Sequence, residues 1–135
     1  MPLTLRVLSP DQSVFDGTAD EVILPSTTGQ MGILPGHVSI LAALDTGVLR
    51  VRDGKDWKAI ALLGGFAEVE ADEVTVLVNS AELGSRIDRA KASEELAAAE
   101  QAAASFQGQP TSTEQLKAKQ ELARARARQQ ASGAG

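Results

Sequence analysis

The stretch LGGFAEVEADEVTVLVNSAELGSRID, residues 63–88, holds two patterns in succession. In GFAEVE (65–70) and EVTVLV (73–78) apolar and polar residues alternate, the period of a strand with one buried face. Ala71-Asp72 between these runs is a turn signal, and Gly64-Gly65 ahead of them is another. From Ser85 onward the alternation stops, and Ala, Glu, Gln, Lys and Arg take over, the composition of helices. The chain therefore reads as two domains, 1–84 and 85–135.

Upstream, LTLRVL (3–8), ADEVIL (19–24), VSILAAL (38–44), GVLRVR (47–52) and WKAIALL (57–63) have the same β-branched or alternating texture. Ser9-Pro10-Asp11, Asp16-Gly17, Pro35-Gly36, Asp45-Thr46-Gly47 and Asp53-Gly54 separate them as turn signals. Asp53-Gly54 is expected to be the central pair of a type I′ hairpin, which needs positive φ at both residues. Short strands with no helix among them favour an antiparallel sandwich or barrel, and a β-sandwich of about ten strands is the expected fold. In GVLRVR, Val48, Arg50 and Arg52 share one face and Leu49 and Val51 the other, so one face of that strand is expected to meet solvent or a partner.

An α-helical hairpin is expected after the sandwich. The first helix is predicted from about Ile87 to Phe106, capped by Ser85 or Asp88, and GQPTST (108–113) breaks it. Thr111 and Glu114 have capping-box spacing for a second helix through about Gln129, and the tail ASGAG (131–135) is expected to fray. A break this short folds two helices back on each other. The large apolar side chains of the hairpin are Ile87, Leu96, Phe106, Leu116 and Leu122, with alanine supplying the rest. Each contributes roughly 1.5–3 kcal/mol if fully buried, against an ordering cost of about 1–2 kcal/mol per backbone residue. Docking onto the sandwich is thus expected to be marginal, which fits either a solvated helical pair or a switch that docks in one state and extends in another.

Composition narrows the function. At 135 residues and 43% apolar content there is material for one core with a small appendage. The absence of cysteine excludes disulfides, thiolate metal sites and a cysteine nucleophile. The N-terminus has no basic segment followed by an apolar run, and no window reaches the roughly 18 apolar residues of a membrane span, so a soluble chain without a leader is expected. The net charge of −5 is uneven: residues 1–85 carry 12 acids and 5 bases, residues 86–135 carry 6 acids and 8 bases. An acidic sandwich with only three phenylalanines in the whole chain lacks the footprint of a nucleic-acid binder.

The segment GQMGILPGH (29–37) holds three glycines and the single histidine. Its glycine spacing fits neither dinucleotide nor P-loop patterns, and His37 has no second histidine or triad partner. No catalytic residue, metal site or cofactor is expected. The basic feature of the second helix is LARARARQQ, in which Arg124 and Arg128 lie one turn apart and Arg126 projects roughly opposite.

GQMGILPGHVSILAALDTGVLRVR (29–52) and LGGFAEVEADEVTVLVNSAELGSRID (63–88), followed by an Ala-rich helical pair, resemble the epsilon subunit of F-type rotary ATP synthases, most closely its cyanobacterial and chloroplast branch. The resemblance runs through essentially the whole chain in order. It implies a non-catalytic rotor subunit of the central stalk of the proton-driven enzyme, bound to the gamma subunit and to the c-ring. It implies docking by Gly29, Gln30, Met31, Gly32, Leu34, Pro35, Gly36 and His37; many relatives have an acid at the position of Gln30, so contact here leans on hydrogen bonds and apolar groups. It implies that the hairpin inhibits ATP hydrolysis by rising into the alpha/beta catalytic head, with Arg124, Arg126 and Arg128 meeting acidic surface there. The location implied is peripheral, on the cytoplasmic or stromal face of an energy-transducing membrane such as the thylakoid.

Some relatives bind ATP on the folded hairpin through an I-D-x-x-R-A motif. Here the run is Ile87-Asp88-Arg89-Ala90-Lys91-Ala92, with lysine in place of the arginine fork. Glu82, Asp88, Lys91 and Arg126 are the remaining nucleotide candidates, whereas Ala98 and Gln130 stand where further arginines are expected, so ATP binding is expected to be weak or absent. The alternative reading is a free-standing sandwich adaptor whose basic hairpin binds another acidic protein.

Overall fold

A computed structural model describes residues 2–133. Eight strands come first: β1 (Leu3–Ser9), β2 (Gln12–Ala19), β3 (Glu21–Ser26), β4 (Gly29–Ile33), β5 (Ile40–Leu44), β6 (Gly47–Asp53), β7 (Asp56–Glu70) and β8 (Glu73–Leu83). A 3-10 turn (Gly84–Arg86) leads into helices α1 (Arg89–Ala104) and α2 (Thr113–Gly133). The sandwich and the helical hairpin are as the sequence predicts. The described residues form eight strands against about ten expected, WKAIALL and GFAEVE being halves of one strand, and one pairing is parallel: β1 lies beside β8, with Leu5 opposite Val74.

The two long strands carry the sandwich. β7 and β8 pair antiparallel from Glu70↔Glu73 to Ile60↔Leu83. In the first half of β7 the core-facing residues are even, Ile60 and Leu62; in the second half they are odd, Ala67 and Val69. β8 makes the complementary change, from Val74, Val76 and Val78 to Ala81. The change of face falls at Gly64-Gly65, so this pair bends a continuous strand instead of ending it. One side of β7 meets β6 through Gly47↔Leu62 and β5 through Leu44↔Gly65. One layer therefore comprises β2, β1, β8, the second half of β7 and β5; the other comprises the end of β8, the first half of β7, β6, β3 and β4. Between them lies a core in which Leu3, Leu5, Val22, Leu24, Leu49, Ile60 and Val74 are fully buried.

Two strands have little sequence signal. β2 contains Asp16-Gly17, read as a turn, and its only large apolar residues are Val14 and Phe15; pairing with β1 and a bulge at Val7/Leu8 make it a strand. β4 is an edge strand hydrogen-bonded to β3 alone.

The hairpin turns also redistribute. Asp53 pairs with Asp56, so the β6–β7 turn centres on Gly54-Lys55 and only Gly54 has positive φ, the II′ arrangement. Type I′ geometry appears at Ala71-Asp72, with φ of +50° and +62°. On β6, Leu49 and Val51 enter the core; the opposite face is shared, with Val48 under the helices, Arg52 pairing with Glu21 at 3.3 Å and also lying over the Trp57 ring.

The helices cover the outer face of the second layer. Val48, Ala59 and Ala61 from the sheet meet Ile87, Ala92, Ala127 and Ala131 in a separate small cluster. Of the five large residues expected to anchor the hairpin, only Ile87 is buried, and Leu116 is 50% exposed. α1 starts at Arg89 behind the Asp88 cap and ends at Ala104, inside the expected limits. The cap of α2 is Ser112, whose Oγ accepts the Gln115 N–H at 3.2 Å, one residue beyond Thr111. α2 runs through Gly133 and Ala131 is fully buried, so residues 131–133 do not fray; residues 134 and 135 lie outside the described part.

Asparagine tolerates the left-handed conformation better than alanine. Ala71→Asn is therefore expected to raise stability by about 0.5–1 kcal/mol. Gly65→Ala is expected to lower it by about 3 kcal/mol, because the added Cβ collides with the Leu77 carbonyl. Chemical denaturation of the full chain, with both transitions followed at equal slope, checks the pair.

Candidate functional site

The segment 29–37 is half strand and half loop. Gly29 pairs with Ser26 across a two-residue turn, and Gly32 lies opposite Ile23 in β4. Positive φ occurs at Gly29 (+125°) and Gly36 (+87°), and Gly32 has none. A Cβ on Gly32 meets only the Glu21 carboxylate at 3.9 Å, so the glycine leaves bare backbone on the edge without being needed for a turn. Gln30 is exposed, whereas Met31 is half-buried against the core. Leu34, Pro35 and Gly36 are exposed in the following loop.

His37 holds that loop together. Its backbone N–H donates to the Leu34 carbonyl at 3.1 Å and its ring Nδ1–H donates to the Val38 carbonyl at 2.7 Å. The loop is braced from outside by Asp72 in the β7–β8 turn, whose carboxylate accepts the Gly36 N–H at 2.7 Å. Beyond it, Val38 and Leu41 are 72% and 73% exposed. These two were not singled out in the sequence and Asp72 was read only as part of a turn; the signal for Leu41 was its place opposite the inward Ala42 and Leu44 in the alternating β5. Among the described residues no cluster of His, Cys, Asp or Glu has the makings of a metal site.

The outer face of the first layer is open. Leu8 pairs with Leu77, Leu77 with Phe66, and Phe66 with Ala43, so one cross-strand row runs over four strands. Phe66 and Leu77 are more than half exposed, and Leu41 stands one row away. An apolar row of this kind on an acidic domain is the mark of a contact surface.

The basic residues of α2 divide by environment. Arg124 and Arg126 are exposed. Arg128 is not: its Nε donates to Glu82 at 3.1 Å and a terminal nitrogen donates to Glu95 on α1. Burial opposes the charge on Arg128, but hydrogen bonding and attraction from Glu82 and then Glu95 outweigh it and raise its pKa above the ordinary arginine value. A raised value means that the stabilisation is full below the unfolded pKa and is lost only as pH climbs through the strongly alkaline folded value, so it persists at neutrality.

The nucleotide candidates are engaged separately. Asp88 caps α1 by accepting the Lys91 backbone N–H at 3.1 Å, Glu82 is held by Arg128, and Arg126 is exposed with no ion pair among the described residues. A groove of about 490 Å³ between the helices is lined by Glu95, Glu121, Arg124, Arg128 and three alanines, and of its two arginines Arg128 is already paired with carboxylates.

Residues 2–84 match the family ATP synthase, Delta/Epsilon chain, beta-sandwich domain. The ATP synthase epsilon chain of Synechococcus sp. (strain WH7803) is 70% identical over 131 residues, covering 97% of this chain and 96% of that one. The epsilon chain of Prochlorococcus marinus (strain MIT 9303) is 65% identical, covering 97% and 98%. Among solved structures, a chain in the cryo-EM structure of the Euglena gracilis mitochondrial ATP synthase, OSCP/F1/c-ring, has the same fold with a TM-score of 0.78 at 22% identity, over 93% of this chain and 78% of that chain. A sandwich that matches from its first strand to Gly84, continued at high identity through both helices, means that the chain belongs to the ATP synthase epsilon-chain family, in its cyanobacterial branch.

Proposed function

We propose that the chain is a non-catalytic rotor subunit of an F-type ATP synthase central stalk, linking the gamma subunit to the c-ring and restraining ATP hydrolysis through its C-terminal helices. The observation that carries this reading is the inequality of the two outer faces of the sandwich. One is covered by an alanine-lined hairpin, and the other presents Leu77, Phe66 and Leu41 to solvent next to the braced loop. The open face suits gamma, and the loop from Leu34 to Val38, with the edge of β4, suits the c-ring. Residues 1–84 act as the docking domain and 85–135 as the regulatory one. Assembly makes the subunit peripheral to an energy-transducing membrane, on the side of the catalytic head; no described helix is long and apolar enough to cross one.

Charge at either contact has a desolvation cost. Phe66→Glu is expected to weaken binding to gamma, and Val38→Glu binding to the c-ring, each by about ten- to a hundredfold, while circular dichroism and melting of the free chain stay unchanged. Reconstitution with the purified partners measures both; normal assembly of both variants overturns the docking assignments.

Deleting residues 86–135 is expected to leave a folded, assembling sandwich and to increase ATP hydrolysis by the reconstituted catalytic head. The sandwich core contains no helical residue, which supports the first half. An unchanged hydrolysis rate at equal subunit saturation removes the inhibitory role.

ATP binding to the full chain is expected to be absent in the micromolar range. In the groove between the helices Arg128 is already paired with Glu82 and Glu95, Glu121 adds a further negative charge to the lining, and Lys91 has no planar fork. Calorimetry showing saturable micromolar binding contradicts this.

A further inference from the structure

The hold on the docked hairpin is concentrated at one end. Leu96, Phe106 and Leu122 are only half-buried and Leu116 is exposed, so the middle and the loop end of the hairpin have little grip. The last turns of α2 differ. Ala125, Ala127 and Ala131 are buried, and Gly84, just after β8, has no room for a Cβ because it would collide with the carbonyl oxygens of Ala131 and Ala59. One turn before Ala131, Arg128 reaches Glu82, two residues before Gly84, and Glu95 on α1. Residues 82–84 thus form a seat with two fixtures, a close backbone fit and an ion pair shared by three elements.

We infer that the Glu82–Arg128–Glu95 triad is a lock on the docked hairpin, and that its opening releases α2 from the seat at Glu82–Gly84. The Arg128 side chain is 22% exposed, with Glu82 at 37% and Glu95 at 53%, so the pair is screened on one side and holds without being permanent. The lock separates the three arginines of α2. Arg124 and Arg126 are available in the docked state, whereas Arg128 becomes available only when the lock opens. Neutralising all three together mixes a released hairpin with a lost charge, and Glu82→Gln releases the hairpin while leaving every arginine in place.

The lock is tested in the full-length chain by hydrogen exchange of α2 amides in Glu82→Gln, Arg128→Gln and the double variant. Each single change is expected to speed α2 exchange about three- to tenfold, the range of a partly exposed charged hydrogen bond. The double variant is expected to be no faster than the faster single, and the effect to shrink in high salt. Sandwich amides serve as the folding control and are expected to keep their protection. Unchanged α2 exchange in either single variant, or a double variant equal to the product of the two singles, overturns the lock. The consequence for activity rests on the proposed inhibitory role: Glu82→Gln is then expected to inhibit ATP hydrolysis of the reconstituted head more strongly than the parent chain. Faster exchange with unchanged hydrolysis confirms the lock and removes the inhibitory role, so the two failures are distinguishable.

Discussion

At Gly65 the backbone of β7 passes so close to β8 that any side chain would collide with the carbonyl of Leu77. This contact lets one hairpin belong to both layers of the sandwich. On one side of the bend Ile60 and Leu62 fill the core; on the other Ala67 and Val69 do. A strand without the bend would keep one parity throughout and turn half of its apolar residues to solvent, since side chains alternate strictly along an extended backbone. Gly64 supplies the positive φ of +33° next to it, and the two glycines together convert fifteen residues of strand into the corner of the fold.

The bend also decides which surfaces exist. By shifting parity, it turns Ala59 and Ala61 outward in the second layer and Phe66 outward in the first. Alanine makes a shallow face on which helices can lie close, and the cluster there is almost wholly alanine apart from Val48 and Ile87. Phe66 and Leu77 make a bulky face that none of the described elements covers. At about 25 cal/mol per Å² of apolar area, an alanine interface holds far less firmly than the main core. One sandwich thereby carries a main core, a weakly held cover and an open apolar face.

Much of this was legible in residue order, and the gaps have physical causes. GFAEVE and EVTVLV were readable because one face is buried, and the composition change at Ser85 located the start of the helical part. Gly64-Gly65 misled because glycine pairs serve turns and close approaches alike, and only the neighbouring strand distinguishes the two. β2 was hidden because QSVFDGTA has few apolar residues and owes its conformation to β1. The helix limits moved with the caps, Asp88 and Ser112, each chosen by a side-chain hydrogen bond over a plausible neighbour. In the candidate site the segment 29–37 stood out by its three glycines and single histidine, with its docking role implied only by the family resemblance, but the Asp72 brace joins positions 36 residues apart and has no local signature. Arg128 likewise looked equivalent to Arg124 and Arg126, because a repeated Ala-Arg pattern does not reveal which arginine finds carboxylates from two other elements.

The chemistry of the docked interface bears on whether the hairpin can exist in two states at all. An interface of leucines would hold the helices firmly, yet would expose an apolar stripe whenever they left, at about 1.5–3 kcal/mol for each large side chain. Alanines expose little when released, and a freed Arg128 regains water in exchange for carboxylates that hold it only at a partly exposed site. The docked and released states of the proposed switch then lie within the few kcal/mol over which a binding partner can choose between them. The charges also give the docked state a register that alanines alone do not supply. An alanine face permits a helix to slide, whereas Arg128 reaches both carboxylates from a single position, and Gly84 admits Ala131 at that same position.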